Sequence, residues 1–177
     1  DDNKASTDQI VSLIGTGMSS DQLTLEADRA LKNCDIIIGA KRMLEMAEHY
    51  HKPTFCSYNY PAITDYMLSH PEYRHFAVLF SGDIGFYSGA ASLRGCLEGK
   101  PFKIESFSGI SSPIHFLNTI GKTWSDVHLI SCHGQTASII SHVRCHPKTL
   151  ALLGKPEDVS NISGKLMDYG LSNVRIY

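Results

Sequence analysis

The stretch HFAVLFSGDIGFYSGA, residues 75–90, runs from an unbroken apolar segment into a glycine-rich turn holding one carboxylate, and then into an apolar-periodic segment. An apolar run of that length, bounded by glycine, reads as a parallel strand buried on both faces. Small-residue loops at the carboxyl ends of such strands are where open α/β sheets bind small ligands. Ser81, Gly82, Asp83, Gly85, Phe86 and Tyr87 together exceed what a plain turn requires. From pattern alone Asp83 fits three tasks: accepting ribose hydroxyls, complementing a cation, or capping the helix that follows.

The same strand-then-helix order recurs on both sides. QIVSLIGTG (9–17), DIIIGA (35–40), HKPTFCSY (51–58) and PFKIESF (101–107) read as strands or short extended pieces. TLEADRALKNC (24–34), KRMLEMAEHY (41–50), PAITDYMLSHPEY (61–73) and YSGAASLRGCLEG (87–99) carry helical spacing, with Thr24 as a cap and Pro71 as a stop. Alternation of this kind predicts an α/β fold with a mostly parallel sheet covered on both faces. The organisation changes at SGISSPIHFLNTIGKTWSD (108–126), a glycine- and serine-rich turn leading into a helix. Beyond it, VHLISCHG (127–134) and KTLALLG (148–154) read as strands, TASIISHVRC and EDVSNISGKLMDYG as helices, and NVRIY as the start of a last strand. A domain boundary is placed near residues 107–112, giving domains 1–108 and 109–177.

Composition narrows the function. Across 177 residues, 16 Lys and Arg stand against 18 Asp and Glu, a formal charge of −2 without a long basic run. That argues against nucleic-acid binding. No run of 18 apolar residues suggests a membrane span. The polar start DDNKASTDQI lacks a signal peptide's basic-then-apolar order, so a cytoplasmic location is expected. Five cysteines with no CxxC do not form a disulfide framework. In SHVRCH (141–146), His142, Cys145 and His146 share helical spacing and would make a trio of zinc ligands, but no fourth is obvious, Arg144 lies beside them, and an ordinary surface helix is the reading preferred.

The other small-residue loops are weighed in the same way. Gly15 and Gly17 follow a strand, yet Ser20 stands where the dinucleotide fingerprint needs a third glycine, and Asp35 opens the second strand instead of ending it. Gly109, Ser111 and Ser112 lie beside a helix start, where amides and hydroxyls suit a carboxylate, a phosphate or a cap. His133 sits at a strand end, placed for proton transfer or for a structural bond. There is no GKS or GKT after a glycine loop and no G-x-S-x-G elbow. Several small-residue loops and little acid–base machinery remain.

Four segments in register resemble the tetrapyrrole methylase family: SLIGTGMSSDQLTLEADRALKNCDIIIGAKRML, LFSGDIGFYSGA, FSGISSPIHFLNTIGKTWSD and ISCHG. Within it, IIIGAKRML and SCHG look most like the cobalamin-pathway branch that methylates C5 of cobalt-precorrin-6B. The resemblance implies two α/β domains of the class III methyltransferase fold, with S-adenosylmethionine in the cleft between them, and a homodimer. It implies cofactor contacts from Ser81, Gly82, Asp83, Gly85, Phe86, Gly109, Ser111, Ser112, His133 and Gly134. Gly15, Gly17 and Met18 would border the macrocycle, with Lys41, Arg42 and Arg94 candidates to meet its acidic side chains. His133 is the one candidate for proton transfer, and a bond to substrate is the favoured role.

Cobalt would enter with the corrinoid substrate, so no protein metal site is implied. A separate enzyme would decarboxylate and methylate C15. Members of the family often carry Pro where this chain has Ile84, Pro-Gly where it has Ser108-Gly109, and Arg where it has Gln135, and they extend by about two strands beyond RIY. Rival readings are a family member acting at another corrin carbon, on uroporphyrinogen or on a modified histidine, and a noncatalytic nucleotide-sensing module.

Overall fold

The computed structural model describes residues 9–132 and 139–177. The chain divides within one helix into two compact units, the first ending at His115 and the second spanning Phe116–Tyr177. In the first, β1 (Gln9–Gly15), β2 (Ile36–Gly39), β3 (Thr54–Cys56), β4 (His75–Phe80) and β5 (Phe102–Phe107) form one sheet in the order β3-β2-β4-β1-β5. Every pairing is parallel. The helices α1 (Leu25–Asn33), α2 (Lys41–Met46), α3 (Tyr60–Ser69) and α4 (Ala90–Leu97) connect the strands.

Strand alternation explains why helices cover both faces. On β4, Phe76, Val78 and Phe80 join Ile63 and Met67 of α3 and Leu93 and Leu97 of α4 in one buried cluster. Ala77 and Leu79, pointing the other way, join Ala27, Ala30 and Leu31 of α1 and Met43 of α2 in a second. Successive side chains of a strand face opposite sides, so an uninterrupted apolar run must be buried twice. The α1 helix starts late because Thr24 caps it, its hydroxyl accepting from the Ala27 amide at 3.2 Å. Asp35 holds the amino end of β4, with Oδ2 accepting from the Arg74 and His75 amides at 2.7 and 2.8 Å.

The second unit contains β6 (His128–Ser131), α6 (Ile139–Cys145), β7 (Thr149–Leu152) and α7 (Glu157–Asp168), with β6 and β7 paired in parallel. Ile130, Cys132, Ile139, Ile140, Ile162 and Leu166 form its core. The division between units falls inside α5 (Ser112–Thr119). The strand expected over residues 173–177 does not form. A strand needs a ladder partner for its amides, and β7 pairs with β6 alone among the described strands, while Val174 instead packs against the core. All five cysteines are free.

Because β4, β1 and β5 are adjacent and parallel, three loops distant in sequence leave the sheet at the same edge. Glycine lets them touch. Gly17 and Gly82 exchange two backbone hydrogen bonds, at 3.1 and 2.9 Å. Their φ values of 69° and 68° lie in the left-handed region that favours glycine. A Cβ on Gly15 would lie 2.7 Å from both the Gly82 carbonyl oxygen and the Gly109 nitrogen. One on Gly109 would strike the Gly82 oxygen itself. Three backbones thus meet where no side chain fits.

Two outcomes are expected in urea unfolding. Gly109→Ala should destabilise by about 1–3 kcal/mol, the usual cost of forcing volume into a packed site. Gly95→Ala, in α4 with nothing within 4 Å of its would-be Cβ, should stabilise by about 0.5–1 kcal/mol. Equal effects at both positions would show that the three backbones are not in contact.

His75 gives a pH signature. Its Nε2 lies 2.7 Å from the Ser12 hydroxyl, and burial pushes its pKa below the ordinary value of 6.5, against the pull of the Glu105 and Asp35 carboxylates. The unfolded chain then binds the proton more readily, so this contribution is complete above pH 6.5 and is lost as pH falls below it. His75→Gln should flatten the decline of the urea midpoint between about pH 7.5 and 5.5; an unchanged slope would rule His75 out as a source.

Candidate functional site

The loop after β4 is fastened by its own carboxylate. Asp83 Oδ1 accepts from the Gly85 amide at 2.8 Å, and Oδ2 accepts from the Gly109 amide at 3.1 Å. It does not cap a helix: α4 starts later, where the Ser88 hydroxyl accepts from the Ala90 amide at 3.2 Å. Charge-assisted bonds of this kind are stronger than neutral ones, so Asp83 fixes both the curl of its own loop and the approach of the segment leading to α5. Ser111 and Ser112 follow immediately, with the Ser112 nitrogen 3.7 Å from where a Cβ on Gly82 would sit. Ile84 packs on the first core cluster.

The loop after β1 is held from the other side. Gln22 Oε1 accepts from the Met18 amide at 2.8 Å, and its Nε2 lies 3.2 Å from His115 Nδ1. Buried Thr16 donates to the Phe80 carbonyl at 3.1 Å. Neither Gln22 nor Thr16 is visible as a site residue in the sequence, because each acts through a partner far along the chain, His115 and Phe80.

A cavity of about 260 Å³ opens at the carboxyl ends of β2 and β4. Gly39, Arg42, Tyr58, Tyr60, Ser81 and Tyr87 contribute to its lining. Gly89 belongs there because a Cβ at that position would overlap the Tyr60 hydroxyl. Arg42 donates to the Ser81 hydroxyl at 3.1 Å, joining the start of α2 to the head of the Asp83 loop. Tyr87 stands at φ 45°, a left-handed conformation unusual for a bulky residue. Its ring packs edge-on against Phe86, 4.9 Å between centroids. Sequence reading singled out Tyr87 with its loop, but not Tyr58 or Tyr60, which carry no motif.

The sequence-selected residues are therefore partly assembled. Gly15, Gly17, Gly82, Asp83, Gly85, Gly109, Ser111 and Ser112 cluster at the loop junction, and Ser81 and Arg42 join it to the cavity. Lys41 is exposed at the first position of α2 and does not line the cavity. Arg94, on α4, donates to the Ser106 hydroxyl of β5 at 2.6 Å. His133 and Gly134 lie outside the described residues. The trio His142, Cys145 and His146 does not form: Cys145 is exposed, and the two histidines group with His128 instead. Residues four apart on a helix share a face, whereas Cys145 projects about 100° away from its neighbour His146.

No curated protein sequence matches the chain. Among solved structures it resembles a cobalamin-biosynthesis precorrin-6Y methylase from Archaeoglobus fulgidus, at 19% identity and TM-score 0.65, covering 86% of this chain and 78% of that one. It also resembles a cobalt precorrin-4 methyltransferase at 16% identity and TM-score 0.75, covering 95% and 77%. A diphthine synthase matches at 16% identity and TM-score 0.68, covering 90% and 73%. At these identities the likeness establishes the shared fold. The family model for tetrapyrrole (corrin/porphyrin) methylases matches residues 11–176. The chain belongs to that family of S-adenosylmethionine-dependent methyltransferases.

Proposed function

We propose that the chain transfers a methyl group from S-adenosylmethionine to C5 of cobalt-precorrin-6B, giving cobalt-precorrin-7 in cobalamin biosynthesis. The observation that carries the reading is the cavity in which Arg42 meets Tyr58, Tyr60 and Tyr87 beside the head of the Asp83 loop. Aromatic walls suit a flat conjugated ring, and guanidinium groups pair with carboxylates such as those around a corrinoid. Lys41 and Arg42 open α2 with no acidic residue in the first turn and no side-chain cap. Cations are disfavoured at a helix start, and in this reading Arg42, which lines the cavity, is kept there to pair with a substrate carboxylate.

The loop residues fit the family's cofactor. Glycines at positions 82, 85 and 109 keep side-chain bulk off the junction, with their own amides already held by Gly17 and Asp83. The hydroxyls of Ser81, Ser111 and Ser112 add small polar partners. In this reading Ser81, Gly82, Gly85, Phe86, Gly109, Ser111 and Ser112 hold S-adenosylmethionine, while Asp83 keeps the two loops in place through its bonds to Gly85 and Gly109. When bound, the cofactor supplies a methyl already activated by positively charged sulfur. The chain's task is to align the ring carbon with that methyl and exclude alternatives, which needs few acid–base groups.

Lys41 and Arg42 hold substrate carboxylates, Gly15, Gly17 and Met18 border the ring, and Arg94 stays with Ser106. The sequence resemblance further supports a homodimer, with C15 chemistry supplied by a separate enzyme and cobalt carried in by the substrate. Among the described residues no helix is long and apolar enough to cross a membrane.

The decisive assay supplies S-adenosylmethionine labelled with ¹³C at the methyl and locates the label in the corrinoid product by NMR. Label at C5 is expected. Label at another ring carbon would retain corrinoid methylation and overturn the C5 assignment; no transfer to any corrinoid would overturn the substrate class. Arg42→Ala should raise KM about 10- to 100-fold with a smaller change in kcat, matching the loss of one charged hydrogen bond. A fall confined to kcat would contradict the carboxylate-holding role.

A further inference from the structure

His128 opens β6, His142 lies on α6, and His146 follows one residue beyond it, its amide still bonded to the His142 carbonyl at 2.9 Å. The helical hydrogen bond keeps the two α6 histidines on one face, as in other helical metal sites built on an i, i+4 pair. Pairing of β6 with β7 brings the third ring to them: the His128 amide donates to the Lys148 carbonyl at 2.9 Å, just past the end of α6. His128 Nε2 lies 3.0 Å from His142 Nδ1. The His128 and His146 rings stack with centroids 3.9 Å apart and 9° between planes. One nitrogen from each of the three side chains lies within 4.8 Å of the others, and all three residues are half-buried.

We propose that His128, His142 and His146 form a binding site for one divalent transition-metal ion of the zinc class. Zn–N bonds of about 2.0–2.1 Å set the nitrogens of a tetrahedral site roughly 3.3 Å apart. The separations of 3.0 Å and at most 4.8 Å bracket that value, and binding would need the stacked His128 and His146 rings to turn so that their nitrogens converge, with a closure of up to about 1.5 Å, by side-chain rotation. Packing alone gives no reason to choose imidazole three times, because other aromatic rings fill a half-buried cluster equally well. Three borderline nitrogen donors with no thiolate suit Zn²⁺, Co²⁺, Ni²⁺ or Cu²⁺ over Ca²⁺ or Mg²⁺. Among the described residues this is the one grouping of three His, Cys, Asp or Glu side chains spaced to share an ion. Three protein ligands leave a fourth position for water or an incoming donor. All three belong to the second unit, so the ion would tie α6 to the first strand of that unit.

The test uses the full chain without an affinity tag, freed of metal by chelator and titrated with Co²⁺ while visible absorption is followed, then with Zn²⁺ in competition. One Co²⁺ per chain, displaced by one Zn²⁺, is expected. His128→Ala, His142→Ala and His146→Ala should each weaken Zn²⁺ binding at least 100-fold, while Cys145→Ser leaves it unchanged. His146→Ala removes a ring beyond the end of α6 and keeps the test open if either other variant fails to fold. Absence of saturable binding at micromolar Zn²⁺, or binding that survives His146→Ala unaltered, would overturn the proposal. Loss of binding in Cys145→Ser with His128→Ala unaffected would overturn it in favour of a different ligand set.

Discussion

The close contact of Gly15, Gly82 and Gly109 is the constraint on which the loops at the carboxyl end of the first unit's sheet depend. Three parallel neighbours, β4, β1 and β5, deliver their loops to one place, but delivery alone would leave three independent turns. The missing Cβ atoms let the loops share one surface, the Gly17–Gly82 exchange sets their register, and Asp83 ties the third loop to the second. Every later feature follows from that junction. The Ser111–Ser112 segment starts where Asp83 holds Gly109, and Arg42 reaches the junction through Ser81.

The junction also explains why one glycine pattern imitates another. A dinucleotide loop uses glycine so that a helix can spring directly from a strand and present its amino end to a pyrophosphate. Here the first loop spends its glycines on other backbones, and α1 begins only after Thr24. In the proposed reading the chain meets its cofactor along these loops. That arrangement suits a reaction in which alignment matters more than proton transfer, and it agrees with the scarcity of acid–base groups among the site residues.

Much of the fold was legible because burial writes itself into alternation. The apolar runs at 36–38 and 76–80 have no polar face, so only a sheet covered twice accommodates them, and the parallel order followed. The last strand was misread because NVRIY has strand composition while strand formation depends on a neighbour, which composition does not reveal. Gly82, Asp83 and Gly109 were recognisable from local pattern, but their mutual contact was not, since it joins positions 26 or more residues apart. Tyr58, Tyr60 and Gln22 escaped notice for the same reason. The histidine group shows the limit most plainly: spacing found His142 and His146 yet suggested Cys145 as their partner, whereas His128 is supplied by strand pairing across the second unit.

Calorimetric titration of the full chain with S-adenosylhomocysteine, the demethylated form of the family's cofactor, tests most directly whether the glycine junction is a cofactor site. Saturable binding at one site per chain, weakened by Asp83→Ala, is expected if the carboxylate holds the loops in their binding arrangement. A folded protein that binds S-adenosylhomocysteine equally well with and without the Asp83 carboxylate would show that the cofactor lies elsewhere and that the junction serves the fold alone.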